Sequence, residues 1–205
     1  LDNLVDIDFI DKQQGGTERS IIKVAHTTAK LAKDEEVGSL ISFDKFYDTV
    51  IRGSLTALGQ RAISNGLGMV EEIEDDTERD FARRVIEVLF LICHLQDSNK
   101  RVFPATLYNV VTLLMQRVDD SRNDIKTRVE NVLDYLCTKN IIRREIMKGN
   151  VEVYDFYTED EREVAATIDN QTVDPSTMAE ELRKLIHGYL PNISNKKTFY
   201  TRNAS

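Results

Sequence analysis

Between Ile141 and Tyr157 the chain changes its period. Ile141 to Met147 reads as a strand, Lys148-Gly149-Asn150 as a tight turn, and Val151, Val153 and Tyr154 to Tyr157 as the antiparallel mate. The regular patterns on either side recur at three and four residues, the period of a helix. Three of them lead directly into the hairpin. Thr77, with Asp80 three residues on, is expected to cap an apolar helix from Phe81 to Leu95. Pro104 is expected to open a second helix, carrying Leu107, Val110, Val111, Leu114 and Met115. A third, Asp124 to about Thr138, aligns Ile125, Val129, Val132, Leu133 and Leu136 on one face. Gln96–Lys100 is expected to be a loop, Val102-Phe103 a strand stub and Asp119-Asp120-Ser121 a break. Three helices followed by a hairpin is the order of a winged helix-turn-helix, with the third helix in the recognition position and the hairpin as the wing.

The flanks also read as helical. Leu1 to Phe9 alternates loosely and meets a joint at Gln13-Gln14-Gly15-Gly16; Thr17 then caps a helix carrying Ile21, Ile22, Ala25, Ala29 and Ala32. Ser42 is expected to cap a second helix of about five turns, Phe43 through Ala62, stopped by Gly66 and Gly68. Glu71 to Asp76 is an acidic linker. After the hairpin, Thr158 caps Glu159 to Ile168, and Asp174-Pro175 begins a last amphipathic helix with Met178, Leu182, Leu185 and Ile186, ending near Gly188. Only 12 of the 205 residues are Gly or Pro, which fits a helical protein better than a turn-rich sandwich. The expected fold is mainly α: a helical region over 1–76, a winged-helix domain with one β-hairpin over 77–157, and C-terminal helices with a polar tail over 158–205. The opening Leu1 and the polar end lead us to expect a piece of a longer polypeptide.

The formal net charge is −8, unevenly spread. Residues 1–76 hold 8 basic against 15 acidic residues, 77–157 hold 13 against 12, and 158–205 hold 6 against 8. The middle third is the place for any contact with DNA, although its +1 is far from the basic face of a dedicated DNA binder. The two cysteines, Cys93 and Cys137, each sit in an apolar helical run with no CxxC partner, so a reducing, cytoplasmic setting with packed free thiols is expected. Val85 to Leu95, interrupted by Glu87 and His94, is too short to span a bilayer, and no membrane partner is expected.

The motifs of common catalytic chemistry are missing. Gly15-Gly16-Thr17-Glu18-Arg19-Ser20 lacks the spacing and the lysine of a phosphate-cradling loop, and His26, His94 and His187 lie on three separate helices without metal-ligand spacing. No catalytic residue, metal or cofactor is expected in this chain. The candidate contacts are basic: Arg122, Lys126 and Arg128 near the start of the third helix, and Arg143, Arg144 and Lys148 on the hairpin, all able to face one phosphate backbone. Asp119, Asp120, Asp124, Glu130 and Asp134 share that helix and its lead-in, so the same face also reads as solvated or protein-bound. Tyr154, Phe156 and Tyr157 could stack on bases or pack on the preceding helix.

The stretch Glu36-Val37-Gly38-Ser39-Leu40-Ile41-Ser42-Phe43-Asp44-Lys45-Phe46-Tyr47-Asp48 resembles the segment after the ATPase core in BrxC/PglY-type proteins, the large P-loop ATPases of bacterial BREX phage-defence systems. Lys126 to Leu136, Ile141-Ile142-Arg143-Arg144 and Tyr154 to Val164, with its F-x-T-x-x-E exit, look like that family's winged-helix region. Such motifs are shared in part with the winged helices of origin-recognition ATPases. The resemblance implies that residues 1–76 are lid-like and that a nucleotide-binding domain, taking ATP and Mg, belongs upstream. Arg19 could offer its guanidinium to that nucleotide; pairing with Glu18 or Asp34 is the plainer alternative. By resemblance, the partners are the upstream ATPase domain, other BREX subunits and duplex DNA. Two other readings stay open: a free-standing winged-helix DNA-binding transcriptional regulator, dimerised through its acidic flanking helices, and a winged-helix scaffold that docks only protein.

Overall fold

The structure, a computed structural model, describes residues 8–10, 26–30, 32–95, 97–170 and 174–189. The chain groups into two compact units, Leu1–Glu163 and Val164–Ser205. It is mainly helical, and its one sheet among the described residues is a two-stranded antiparallel hairpin. The principal elements are α1 (Ala57–Val70), α2 (Asp76–Cys93), α3 (Asp97–Val102), α4 (Leu107–Leu114), α5 (Arg122–Thr138), β1 (Ile142–Met147), β2 (Val151–Phe156), α6 (Glu159–Asn170) and α7 (Pro175–Tyr189).

The expected helix from Ser42 to Ala62 is broken. Asp44–Phe46 is a short α turn, Tyr47–Ile51 a π turn and Arg52–Ser54 a 3-10 turn, after which Leu55 and Thr56 are extended. The cause is long-range. Leu55 forms a β-bridge with Ile10, and Thr56 binds the first described segment twice, its N–H donating to the Phe9 carbonyl at 2.9 Å and its hydroxyl to the Asp8 carbonyl at 2.6 Å. Thr56 also caps α1, accepting from the Gly59 N–H at 3.2 Å. Gly59 lies so close to that segment that a Cβ there would stand 2.5 Å from the Phe9 carbonyl oxygen. Gly66 and Gly68 do not stop α1, which runs on to Val70.

Caps set the other helix starts. Asp75 rather than Thr77 caps α2, accepting from Glu78 N–H at 3.0 Å. Thr106 rather than Pro104 opens α4, and Ser121 opens α5. Pro104 sits in an extended stretch whose next residue, Ala105, accepts a hydrogen bond from Tyr154 N–H at 2.9 Å. The expected loop at 96–100 instead contains the start of α3.

The core is centred on α2, where Val85, Ile86, Val88, Leu89 and Phe90 are fully buried. Val110, Val111 and Leu114 of α4 join the same cluster, as do Val129, Leu133 and Leu136 of α5, and Ile63 and Val70 of α1. Residues on both sides of the acidic segment Glu71–Asp76 thus share one core. Phe90 stacks on Phe9 at 5.9 Å and meets Tyr47 and Phe156 edge-on, with His94 4.6 Å away. Burial lowers the pKa of His94 below the ordinary histidine value. A buried ion pair fastens the broken segment to this core: Asp44, 1% exposed, meets Arg84 of α2 at 3.0 Å, and Arg84 also donates to the Leu114 carbonyl.

Candidate functional site

The hairpin has the register Met147↔Val151 through Ile142↔Phe156. Its loop is closed by Asn150 N–H on the Met147 carbonyl at 3.1 Å, with Gly149 (φ 93°) and Asn150 (φ 60°) both left-handed, a conformation that Gly and Asn tolerate best. The inner end of the hairpin is packed on the helices. Ile142 and Tyr154 are buried, and the Cys93 thiol of α2 donates to the Tyr154 carbonyl at 3.2 Å. The outer end is open and apolar, with Ile146 64%, Met147 36% and Val151 39% exposed.

Five of the six cations singled out from sequence have partners inside the fold. Arg143 meets Glu145 and Glu161 at 2.6 Å each and Asp155 at 3.7 Å, and lies over the Tyr157 ring. Arg144 binds Asp134 of α5, lies 3.8 Å from Glu152, and covers the Tyr154 ring. Arg128 sits 3.8 Å above the Phe81 ring and pairs with Glu78 at 3.0 Å. Lys126 faces Glu130 at 3.5 Å, and Arg122 donates to the Tyr108 hydroxyl at 2.8 Å. Lys148, at the exposed turn, makes no ion pair with any described residue. Arg19 lies outside the described residues.

The solvent face of α5 completes this surface. Arg122, Asn123, Asp124, Lys126, Thr127, Asn131, Asp134 and Thr138 are exposed and Glu130 is half-buried, so the outward surface mixes amides, hydroxyls, three carboxylates and two cations. A groove of about 670 Å³ between α5 and β1 is lined by Asp134, Cys137, Thr138, Ile142, Arg143 and Arg144, among others. Burial raises the pKa of the Cys137 thiol that faces it, so it is protonated at neutral pH.

The exit from the hairpin is built by its motif residues. Phe156 packs on the aromatic cluster. Thr158 and Glu161 form a reciprocal capping box: Glu161 N–H donates to the Thr158 hydroxyl at 3.3 Å and Thr158 N–H to the Glu161 carboxylate at 2.9 Å. That backbone bond, with Arg143, holds the Glu161 carboxyl below its usual pKa.

A second cavity, of about 530 Å³, lies where Ser39 bridges Arg117, and is lined among others by Glu35, Glu36, Lys45 and Asp48. Within it Arg117 pairs with Glu36 at 3.2 Å, Lys45 with Asp44 at 3.8 Å and Asp48 with Arg52 at 3.7 Å. No group of three His, Cys, Asp or Glu is arranged to hold a metal ion among the described residues, and no described helix is long and apolar enough to cross a membrane.

What sequence reasoning missed is the apolar tip. Ile146 and Met147 stand side by side at the open end of the hairpin, where strict alternation would have placed one polar residue, and that lapse is the available signal. The chain matches no protein-family model, and no solved structure matches it.

Proposed function

We propose that residues 76–157 form a winged-helix module that docks a protein, within the non-catalytic part of a BREX-type ATPase acting in phage defence. The helix order α2, α4, α5, then β1 and β2, supports the winged-helix reading. So does the Tyr154–Ala105 bond, which ties the extended residues before α4 to the hairpin as the third strand of a wing would be tied. In this reading the turns and helix over 44–70 are lid-like and sense an ATP·Mg-loaded core upstream, and the module passes that state to another subunit of the defence complex.

One observation carries the choice of protein over DNA. Five of the six cations that could neutralise phosphate are engaged by Glu78, Glu130, Asp134, Glu145 and Glu161 or by aromatic residues, leaving Lys148 at the turn, while the tip presents Ile146, Met147 and Val151 to solvent. Phosphate contact would have to break those pairs, whereas an apolar tip is the kind of anchor that protein interfaces bury.

The test is fluorescence anisotropy of duplex DNA with this chain across a salt series, with Lys148→Glu alongside. The expected result is no salt-dependent binding. Binding that weakens steeply with salt and falls in K148E would overturn the reading and favour the DNA-binding regulator. In the longer ATPase, Ile146→Asp/Val151→Asp is expected to abolish protection from phage while leaving basal ATP hydrolysis intact; unchanged protection would also count against it.

A further inference from the structure

The two edges of the hairpin differ. On β2 the Tyr154 N–H donates to the Ala105 carbonyl and the Tyr154 carbonyl accepts from the Cys93 thiol, so the backbone of Tyr154 points away from β1. Tyr154 stands opposite Arg144. In an antiparallel ladder both residues of such a pair turn their N–H and C=O outward, and the alternation repeats at every second residue. The outer edge of β1 is therefore formed by the backbone groups of Ile142, Arg144 and Ile146. Ile142 is buried, whereas Arg144 and Ile146 lie on the exposed part of the strand, and their backbone groups bond to no described residue.

Proteins close such an edge with a proline, a bulge or an overlying element. β1 has no proline, its register with β2 is unbroken from Ile142 to Met147, and every residue from Arg144 to Met147 is exposed. What the strand does carry is charge, and the charge acts against a second copy of itself. In a two-fold antiparallel pair of β1 strands, outward-facing residues must oppose outward-facing ones, so the axis falls on a residue. The two registers of longest overlap centre on Arg144 or on Glu145, and each sets that side chain against its own copy. Like charges directly opposite destabilise a strand pair.

We propose that an extended segment of the partner protein adds to the outer edge of β1 as a further antiparallel strand; this rests on, and extends, the reading of residues 76–157 as a protein-docking module. Arg144 and Ile146 each exchange an N–H···O=C pair with the segment. The DNA backbone, which offers acceptors only, cannot serve the two carbonyls. Strand addition also leaves the ion pairs of Arg144 with Asp134 and of Glu145 with Arg143 in place, because it uses backbone groups alone. Those pairs define the segment. Opposite Arg144 and Glu145 it is uncharged, since a charge of either sign there meets one member of a pair as its like. Opposite Ile146 and Met147, which point to the two faces of the sheet and are 64% and 36% exposed, it is apolar.

The probe is the peptide acetyl-Thr-Val-Ile-Thr-Thr-Ser-amide, whose Val and Ile fall opposite Met147 and Ile146. It is titrated from about 0.1 to about 5 mM into the full isotope-labelled chain and followed by NMR. The Arg144 and Ile146 amides are expected to shift and to exchange more slowly with solvent. N-methylation of the peptide's Ile, whose N–H faces β1, should raise the dissociation constant about tenfold, and N-methylation of the next residue, whose N–H faces away, less than about twofold. In the protein, Ile146→Pro removes an edge donor that takes no part in the ladder to β2, while Ile146→Ala keeps the donor and removes more apolar surface; I146P should bind the peptide more weakly than I146A. Slow exchange at the Glu145 and Met147 amides checks that both variants keep the hairpin. No binding over the range, equal effects of the two N-methyl groups, or I146P binding as well as I146A would each overturn the proposal. A dimer of the chain that I146P abolishes would also overturn it, since a second copy would then hold the edge. If the peptide results fail while Ile146→Asp/Val151→Asp still abolishes phage protection, the tip docks protein through side chains alone and only the strand addition falls.

Discussion

Glu87 offers the sharpest test of the core. It sits on α2 facing the broken segment, only 3% exposed. Burial raises its pKa from 4.5 to about 8, with Asp48 and Asp44 adding to the shift and Arg83 and Arg52 opposing it. In the unfolded chain the carboxyl titrates near 4.5, so at pH 7 folding must draw a proton onto it. With 1.36 kcal/mol per pH unit, holding that proton at pH 7 costs about 3 kcal/mol, and above pH 8 the cost levels off near about 5 kcal/mol. The sign follows from the raised value. The neutral acid leaves stability intact below pH 4.5, and stability is lost as the pH climbs through the folded pKa of about 8. Glu87→Gln keeps the shape and removes the titration. Any fixed difference between an acid and an amide shifts the whole curve, so the slope is the quantity to read. Urea unfolding of both proteins from pH 5 to pH 9 should show E87Q gaining on the native protein by about 1.4 kcal/mol per pH unit until the gain flattens near pH 8. At pH 7 the gain corresponds to roughly 10 °C in Tm. A stability difference that does not change with pH would refute the reasoning.

Three other perturbations follow from the packing. Arg84→Ala leaves the Asp44 carboxylate buried without its main partner and should cost about 3–5 kcal/mol in denaturant unfolding, with Asp44→Asn in the same chain recovering part of it. Gly59→Ala drives a methyl group into the Phe9 carbonyl and should cost about 1–3 kcal/mol, read as a lower urea midpoint with unchanged m-value. Thr158→Ala removes one half of the capping box at the start of α6 and should cost about 1 kcal/mol, with hydrogen exchange rising first at Glu161 N–H.

The parts legible in the sequence are those whose cause is local. The hairpin could be placed because Lys148-Gly149-Asn150 supplies the turn chemistry, and α5 because its apolar residues recur along one face. The break at Leu55 could not be read, because the competing interaction is a bridge to Ile10, 45 positions away in a segment that shows only loose alternation. The helix starts at Thr106 and Asp75 were displaced by choices among neighbouring caps that local pattern leaves nearly equal. The basic residues were found, but not their engagement. Arg143 is held by Asp155 from across the hairpin and by Glu161 from beyond it, and Arg128 by Glu78, 50 positions earlier. Spacing reveals which charges exist; only the folded chain decides which remain available.

Arg143 also braces the hairpin against the first turn of α6. Two residues, Tyr157 and Thr158, separate the end of β2 from the first turn of α6, and the guanidinium on β1 grips Glu161 on the far side of that joint. The joint is short and cross-braced, and at the root of the hairpin the Cys93 thiol and the Ala105 carbonyl tie Tyr154 to the body of the fold. Arg143 and the capping box thus hold the first turn of α6 to the hairpin from both sides of the joint.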